Sequence, residues 1–143
     1  MADLGLERIS GPDIAFREGP ISSITVAIGD VLAFDRSNEV LILATSSSSR
    51  EDIAGVAREA RTTANTTVLY EPVDTRSVYK ASLTNNSNTA HNFHRMVLTD
   101  EDAVNNTGTD STADTAVVEQ LYPIGAASDK RAAVRFIEMM DRA

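Results

Sequence analysis

Residues 49–61 read SREDIAGVAREAR, and whether they form a helix or a strand decides the fold class. Ser49 followed by Asp52, then Ile53, Val56, Ala57 and Ala60 at helical spacing, has the form of an N-capped amphipathic helix, and Ala, Arg and Glu favour that state. Gly55 at the centre and the strand-like core DIAGVA oppose it. Taken alone, the residue pattern tips slightly toward helix.

The sequence on either side reads as strands. Upstream, ISSITVAIGDVLAF (21–34) is rich in β-branched residues, with Ile24, Val26 and Ile28 at period two before Gly29-Asp30 interrupts, which predicts two strands meeting at a turn or bulge. Asp35, Arg36, Ser37 and Asn38 then separate two apolar runs with turn chemistry, predicting a hairpin over 31–45. Downstream, TTVLYEPV (66–73) and SVYKASLT (77–84) are strand candidates, the second alternating Val78, Lys80 and Ser82 against Tyr79, Ala81 and Leu83. Pro72 lacks an N–H for a ladder, so it belongs on an edge or at a strand end. NNSNTAHN (85–92) reads as an exposed polar loop ahead of the apolar cluster 93–98. AVVEQLYPIGA (116–126) and RAAVRFIEMM (131–140) read as strands joined by a turn at Ser128-Asp129, although Val134, Ile137 and Met140 would also share a helical face.

The chain has 143 residues, the size of one ordinary domain, with residues 1–20 as an N-terminal arm or edge segment and 21–143 as a single β-rich unit. It contains no cysteine, which removes disulfides, cysteine zinc sites and thiol nucleophiles together. The first twenty residues hold no apolar run long enough for a signal peptide or membrane span, so synthesis and folding in the cytoplasm are expected. A formal charge of -8 argues against phosphate-backbone contact, which needs a basic surface. Of the 13 basic residues only Lys80 and Lys130 are lysines; an arginine excess of this kind arises from genome composition or from interface pairing.

Candidates for chemistry are few. His91 and His94, in HNFH, make an incomplete metal set, and two polar residues at a strand entrance explain them as well. The serine run 46–49 has no neighbouring histidine, and no G-x-S-x-G elbow occurs. DEDAVNNTGTDSTADTA (100–116) raises calcium. With Gly108 in the sixth position of an EF-hand loop, however, the first ligand would be Ala103, which offers no side-chain oxygen. Asp100, Asp102 and Asp110 remain as a looser set, against the plain reading of a solvated loop. Asn65, Asn85 and Asn105 begin N-x-[ST] triplets that a chain rich in Asn and Thr produces by chance. No glycine-rich phosphate cradle is present, and the absence of Trp disfavours a base-stacking platform or an aromatic sugar groove. No residue is assigned a catalytic, cofactor-binding or metal-binding role.

The order IGDVLAF, VLILATSSSS, DIAGVAREA, NTTVLYEPV, VYKASLT and VLTDEDAVNNTGTDSTADTAVVEQLYPIGAASDKRAAVRFI resembles the head decoration, or cement, proteins of tailed bacteriophages, over about residues 28–137. The resemblance implies an all-β protein, a compact β-barrel or β-sandwich with long polar loops, in which residues 52–60 are a strand and Gly55 gives close backbone approach or a bulge. It implies a structural virion protein that binds the outer capsid surface and stabilises the shell. Its partners would be the major capsid protein and itself, as a homotrimer, without nucleic acid, membrane, catalysis or cofactor. It would be found on the virion after synthesis in the host cytoplasm. A different virion β-module, such as a tail or glycan-binding receptor domain, is the alternative, and a small β-barrel enzyme using His91 or His94 with acidic residues is a further class.

Negative charge suits the outside of a shell packed with DNA. In this frame Leu4, Leu6, Ile9, Ile14 and Phe16 make the first twenty residues either an arm that docks on the capsid or a neighbouring copy, or an extra edge segment of the domain. The 100–116 stretch would be an exposed acidic loop with Asn105, Asn106 and Gly108 at its tip, so that shortening it changes little. Arg76 and Arg95, near strand ends, are of the type that interfaces favour, and neither is assigned as a site.

Overall fold

A computed structural model describes residues 5–107 and 116–137. Eleven strands run in the order β1 (Glu7–Ser10), β2 (Arg17–Pro20), β3 (Val31–Asp35), β4 (Val40–Leu43), β5 (Ile53–Ala57), β6 (Thr67–Pro72), β7 (Val78–Ser82), β8 (Arg95–Asp100), β9 (Ala103–Asn105), β10 (Ala116–Pro123) and β11 (Arg131–Phe136). They form two antiparallel sheets, ordered β1-β7-β11-β10-β8-β9 and β2-β6-β5-β3-β4. The sheets pack together as a β-sandwich-like body, not a closed barrel. Among the described residues no helix is long and apolar enough to cross a membrane.

The deciding stretch is a strand. Arg50–Asp52 makes one 3₁₀ turn, and β5 follows directly. Opposite β3, Val56 pairs with Val31, Gly55 with Leu32 and Ile53 with Ala33, so Ala54 is an extra residue. That bulge places Ile53 and Val56 on one face although they are three apart, which is why the pattern imitates a helix. Gly55 is required by contact: a Cβ there would lie 2.0 Å from the Glu71 carbonyl oxygen. The helical alternative for 131–140 also gives way to a strand, β11, whose Ala132, Val134 and Phe136 are buried. Residues 138–140 lie outside the described residues.

The main core lies between the sheets. Val31, Ala33, Ile53 and Val56 from one sheet meet Tyr79, Met96, Leu98, Val134 and Phe136 from the other. The Tyr79 and Phe136 rings stack edge to face at 5.7 Å. A second apolar cluster, Ile21, Val26, Leu32, Leu41, Ala57 and Val68, occupies the opposite face of the five-stranded sheet. Its edges approach each other at Gly19, where a Cβ would lie 2.5 Å from Leu41 Cδ1. Residues 21–28, expected as a strand, form instead an irregular cover over this cluster. Ser23 takes a left-handed φ of 55°, and only Val26 pairs, with Arg61.

Other sequence expectations meet the structure more directly. The 31–45 hairpin forms, with the Asp35 carboxylate accepting the Ser37 N–H at 3.0 Å and the Asn38 side-chain amide at 2.8 Å. Pro72 ends β6, and Tyr79, Ala81 and Leu83 point into the core. Within residues 5–20, β1 adds an edge to β7, β2 adds an edge to β6, and Leu6 enters the main core. The expectation of a purely exposed loop after Asp100 is corrected over 103–106. Ala103 and Val104 are buried in β9 beside β8, and Asn106 is only 2 % exposed. Residues 108–115, including Gly108 and Asp110, lie outside the described residues.

Candidate functional site

The alternation of β6 that sends Val68 and Tyr70 to the second cluster turns Glu71 into the space between the sheets. This carboxylate is almost fully buried, accepts a hydrogen bond from the Tyr79 hydroxyl, and lies 3.5 Å from Arg8 Nη1 and 3.4 Å from Arg58 Nη2. The four residues come from β1, β5–β6 and β7, so the cluster staples both sheets together. Burial, then Glu71 itself, pushes the Tyr79 hydroxyl well above the ordinary tyrosine range. The phenol is thereby held as the hydrogen-bond donor to Glu71. Sequence reading placed Glu71 in a strand without marking it; its phase with Leu69, opposite to Val68 and Tyr70, was the available signal.

At the other side of the sandwich, buried amides organise the Asn-rich loop. The Asn106 side chain accepts the Asn85 N–H at 2.8 Å and donates to the carbonyls of Asn85 and Asn86 at 3.2 and 3.1 Å. Gln120, fully buried on β10, donates through Nε2 to the Asn88 carbonyl at 2.9 Å and to Asn92 Oδ1 at 2.8 Å. Its backbone receives the Phe93 N–H at 2.6 Å and donates to the His94 carbonyl at 3.3 Å. Asn88 also caps the 3₁₀ turn Thr89–His91 by accepting the Ala90 N–H at 2.8 Å. The loop expected to have nothing to bury is thus tied to the core at several points. Between these ties Phe93 holds a left-handed φ of 67° with its ring 68 % exposed. No sequence signal short of the three-dimensional position of Gln120 marks it.

The residues considered for chemistry do not converge. His91 and His94 lie with ring centroids 6.2 Å apart, and no group of three or more His, Asp or Glu among the described residues is placed to hold a metal. The Asp102 N–H donates to Asp100 Oδ1 at 3.2 Å, a local turn bond. Asn65 accepts the Thr62 N–H and Asn105 the Thr107 N–H, each at 2.9 Å, so both serve turns. The serine run is also locally bonded, with the Ser48 hydroxyl accepting the Thr45 N–H at 2.9 Å.

Of the two arginines noted near strand ends, Arg76 is engaged by Asp74 at 2.7 Å. Arg95 is exposed at the start of β8 and has no ion pair among the described residues. Its cross-strand neighbour Glu119 bonds Arg135 at 2.5 Å, and these three line a depression of about 380 Å³ with Thr75. A second depression of about 400 Å³ lies beside the 31–45 hairpin and is lined by Phe34, Ser37, Thr45 and Ser47 among others. No family model matches the chain, and no curated protein matches it in sequence.

Proposed function

We propose that this chain is a structural virion protein that binds the outer surface of a tailed-phage capsid and stabilises the shell, as a homotrimer partnered with the major capsid protein. The observation that carries this reading is β5. The residue pattern slightly favoured helix over 52–60 while the phage decoration resemblance implied a strand with close approach or a bulge at Gly55, and a strand bulged at Ala54 with close approach at Gly55 is present. The other segments of the resemblance also carry strands, β3, β4 and β6 to β11, as an all-β protein requires. The charge of -8 supports an outward position, since a lining facing packaged DNA would be repelled. Several weak contacts per trimer add as one multivalent attachment.

The test is co-sedimentation: particles from the source lysate are banded on a density gradient and this chain is quantified against the major capsid protein. Amounts comparable to the capsid protein in the head fraction are expected. A few copies per particle assign it to tail or collar, and its absence from particles overturns the reading. The glycan-binding alternative has one observation in its favour: a depression lined by Phe34, by serine and threonine residues and by the Arg36–Asp52 ion pair, a mix of aromatic and polar groups that saccharides use. Binding on a glycan array that Phe34→Ala abolishes would select it.

A further inference from the structure

We propose that copies of this chain meet head to tail through the two ends of β8, Phe93 and Arg95 of one copy seating against Ile28 and Glu101 of the next. The inference specifies the self-contact in the reading above and rests on it for the expectation that copies meet.

The first patch is built, not incidental. A bulky residue at a φ of 67° is strained, and a loop that only needed to turn would place Gly or Asn there. The strain persists because Gln120 bonds the Phe93 N–H and the His94 carbonyl through its backbone, and the Asn88 carbonyl and Asn92 Oδ1 through its side chain. The result is a rigid aromatic ring kept in water, the form that interface anchors take. Arg95, two residues on, adds a cation with no ion pair among the described residues, whereas Arg135 nearby is neutralised by Glu119.

The second patch lies beyond the far end of the same strand, roughly 20 Å away at the rise of a β-strand. The Glu101 carbonyl accepts the Val31 N–H at 2.7 Å, which fixes the turn, and its carboxylate has no ion pair among the described residues. The adjoining turn is closed by the Asp30 N–H to the Ala27 carbonyl at 3.1 Å and the Ala27 N–H to the Asp30 carboxylate at 2.9 Å. It leaves Ile28 58 % exposed. Asp30 and Asp100 add negative charge beside Glu101. One end of β8 thus offers an aromatic ring and a cation, and the other offers an aliphatic side chain and acids. Every copy carries both, so a closed ring satisfies each patch once. Charge complementarity also selects this contact against random encounters between copies of net charge -8.

Sedimentation velocity and thermal melting of the full chain test the proposal with Phe93→Asn, Arg95→Glu, Glu101→Arg and the double Arg95→Glu/Glu101→Arg. The wild type is expected to be oligomeric. Phe93→Asn should be monomeric and still melt cooperatively, because Asn tolerates the left-handed backbone. Each single charge reversal should weaken association at least tenfold, and the double reversal should restore it. A monomeric wild type, an oligomeric Phe93→Asn, or a double reversal without rescue would each overturn the contact. Particle co-sedimentation separates the two ideas: a chain absent from heads sinks the capsid reading, while an oligomer unmoved by these variants sinks only the contact.

Discussion

Residues 21–28 and residues 53–57 invert each other's sequence patterns. The first has β-branched residues at period two and forms no strand beyond a single bridge at Val26. The second has apolar residues three and four apart and is a central strand of the five-stranded sheet. In both cases the apolar residues go where burial is offered. Ile21, Ile24 and Val26 fill the outer cluster from an irregular path that turns at Ser23, while Ile53 and Val56 reach the inter-sheet core through a bulge. Periodicity reports which side chains seek burial; the backbone path that buries them is set by what lies opposite.

Gly55→Ala should have the largest effect on the bulged strand. A methyl 2.0 Å from the Glu71 carbonyl has no room without separating β5 from β6, next to the buried Glu71 cluster. A loss of more than about 4 kcal/mol, read from denaturant midpoints, is expected; a loss below about 1 kcal/mol would mean that the bulge adapts. Val26→Ala, in the irregular cover, should cost about 2 kcal/mol through the cavity it leaves over the second cluster. If it costs nothing, the cover contributes nothing to the fold.

The smallest effect concerns the junction of these two regions at Asp30. Burial raises its carboxyl above the ordinary aspartate range, Glu101 and Asp100 push the same way, and only the Ala27 N–H opposes them. A folded-state value above the unfolded one means that Asp30 favours folding most at acid pH, and that this contribution is lost as pH rises through the folded value. Asp30→Asn should therefore gain on the wild type as pH rises toward neutrality, with the two stabilities converging in acid. Denaturant midpoints across that range check the sign, and the opposite trend would show that the ionised carboxylate is needed for the turn.

Legibility in the sequence followed how local each feature is. The 31–45 hairpin was readable because Asp35 makes its turn bonds within three residues. The burial of Tyr79, Ala81 and Leu83 was readable because β7 alternates without a bulge. The staple at Glu71 was not, since its partners Arg8, Arg58 and Tyr79 come from other parts of the chain. The pinned loop was misread for the same reason. Asn85–Asn92 and the serine run 46–49 look equally polar, yet one is anchored by Asn106 and Gln120, more than a dozen residues away in the chain, while the other has hydrogen bonds to its near neighbours Thr45 and Asp52.

The turn of the 31–45 hairpin, the alternation of residues 77–84 and the acidic, cysteine-free composition can be read from the sequence alone. Those properties depend on composition and on neighbours a few residues apart. Only the tertiary structure decided that residues 53–57 are a strand, that a buried carboxylate joins the sheets, and that Phe93 is held out in water. Each of these depends on a contact across strands: the carbonyl of Glu71 against Gly55, two arginines on one carboxylate, and a buried glutamine under a loop more than twenty-five residues away in the chain. Such contacts leave no period in the sequence, because a bulge, an ion pair and a side-chain amide each act at a single position.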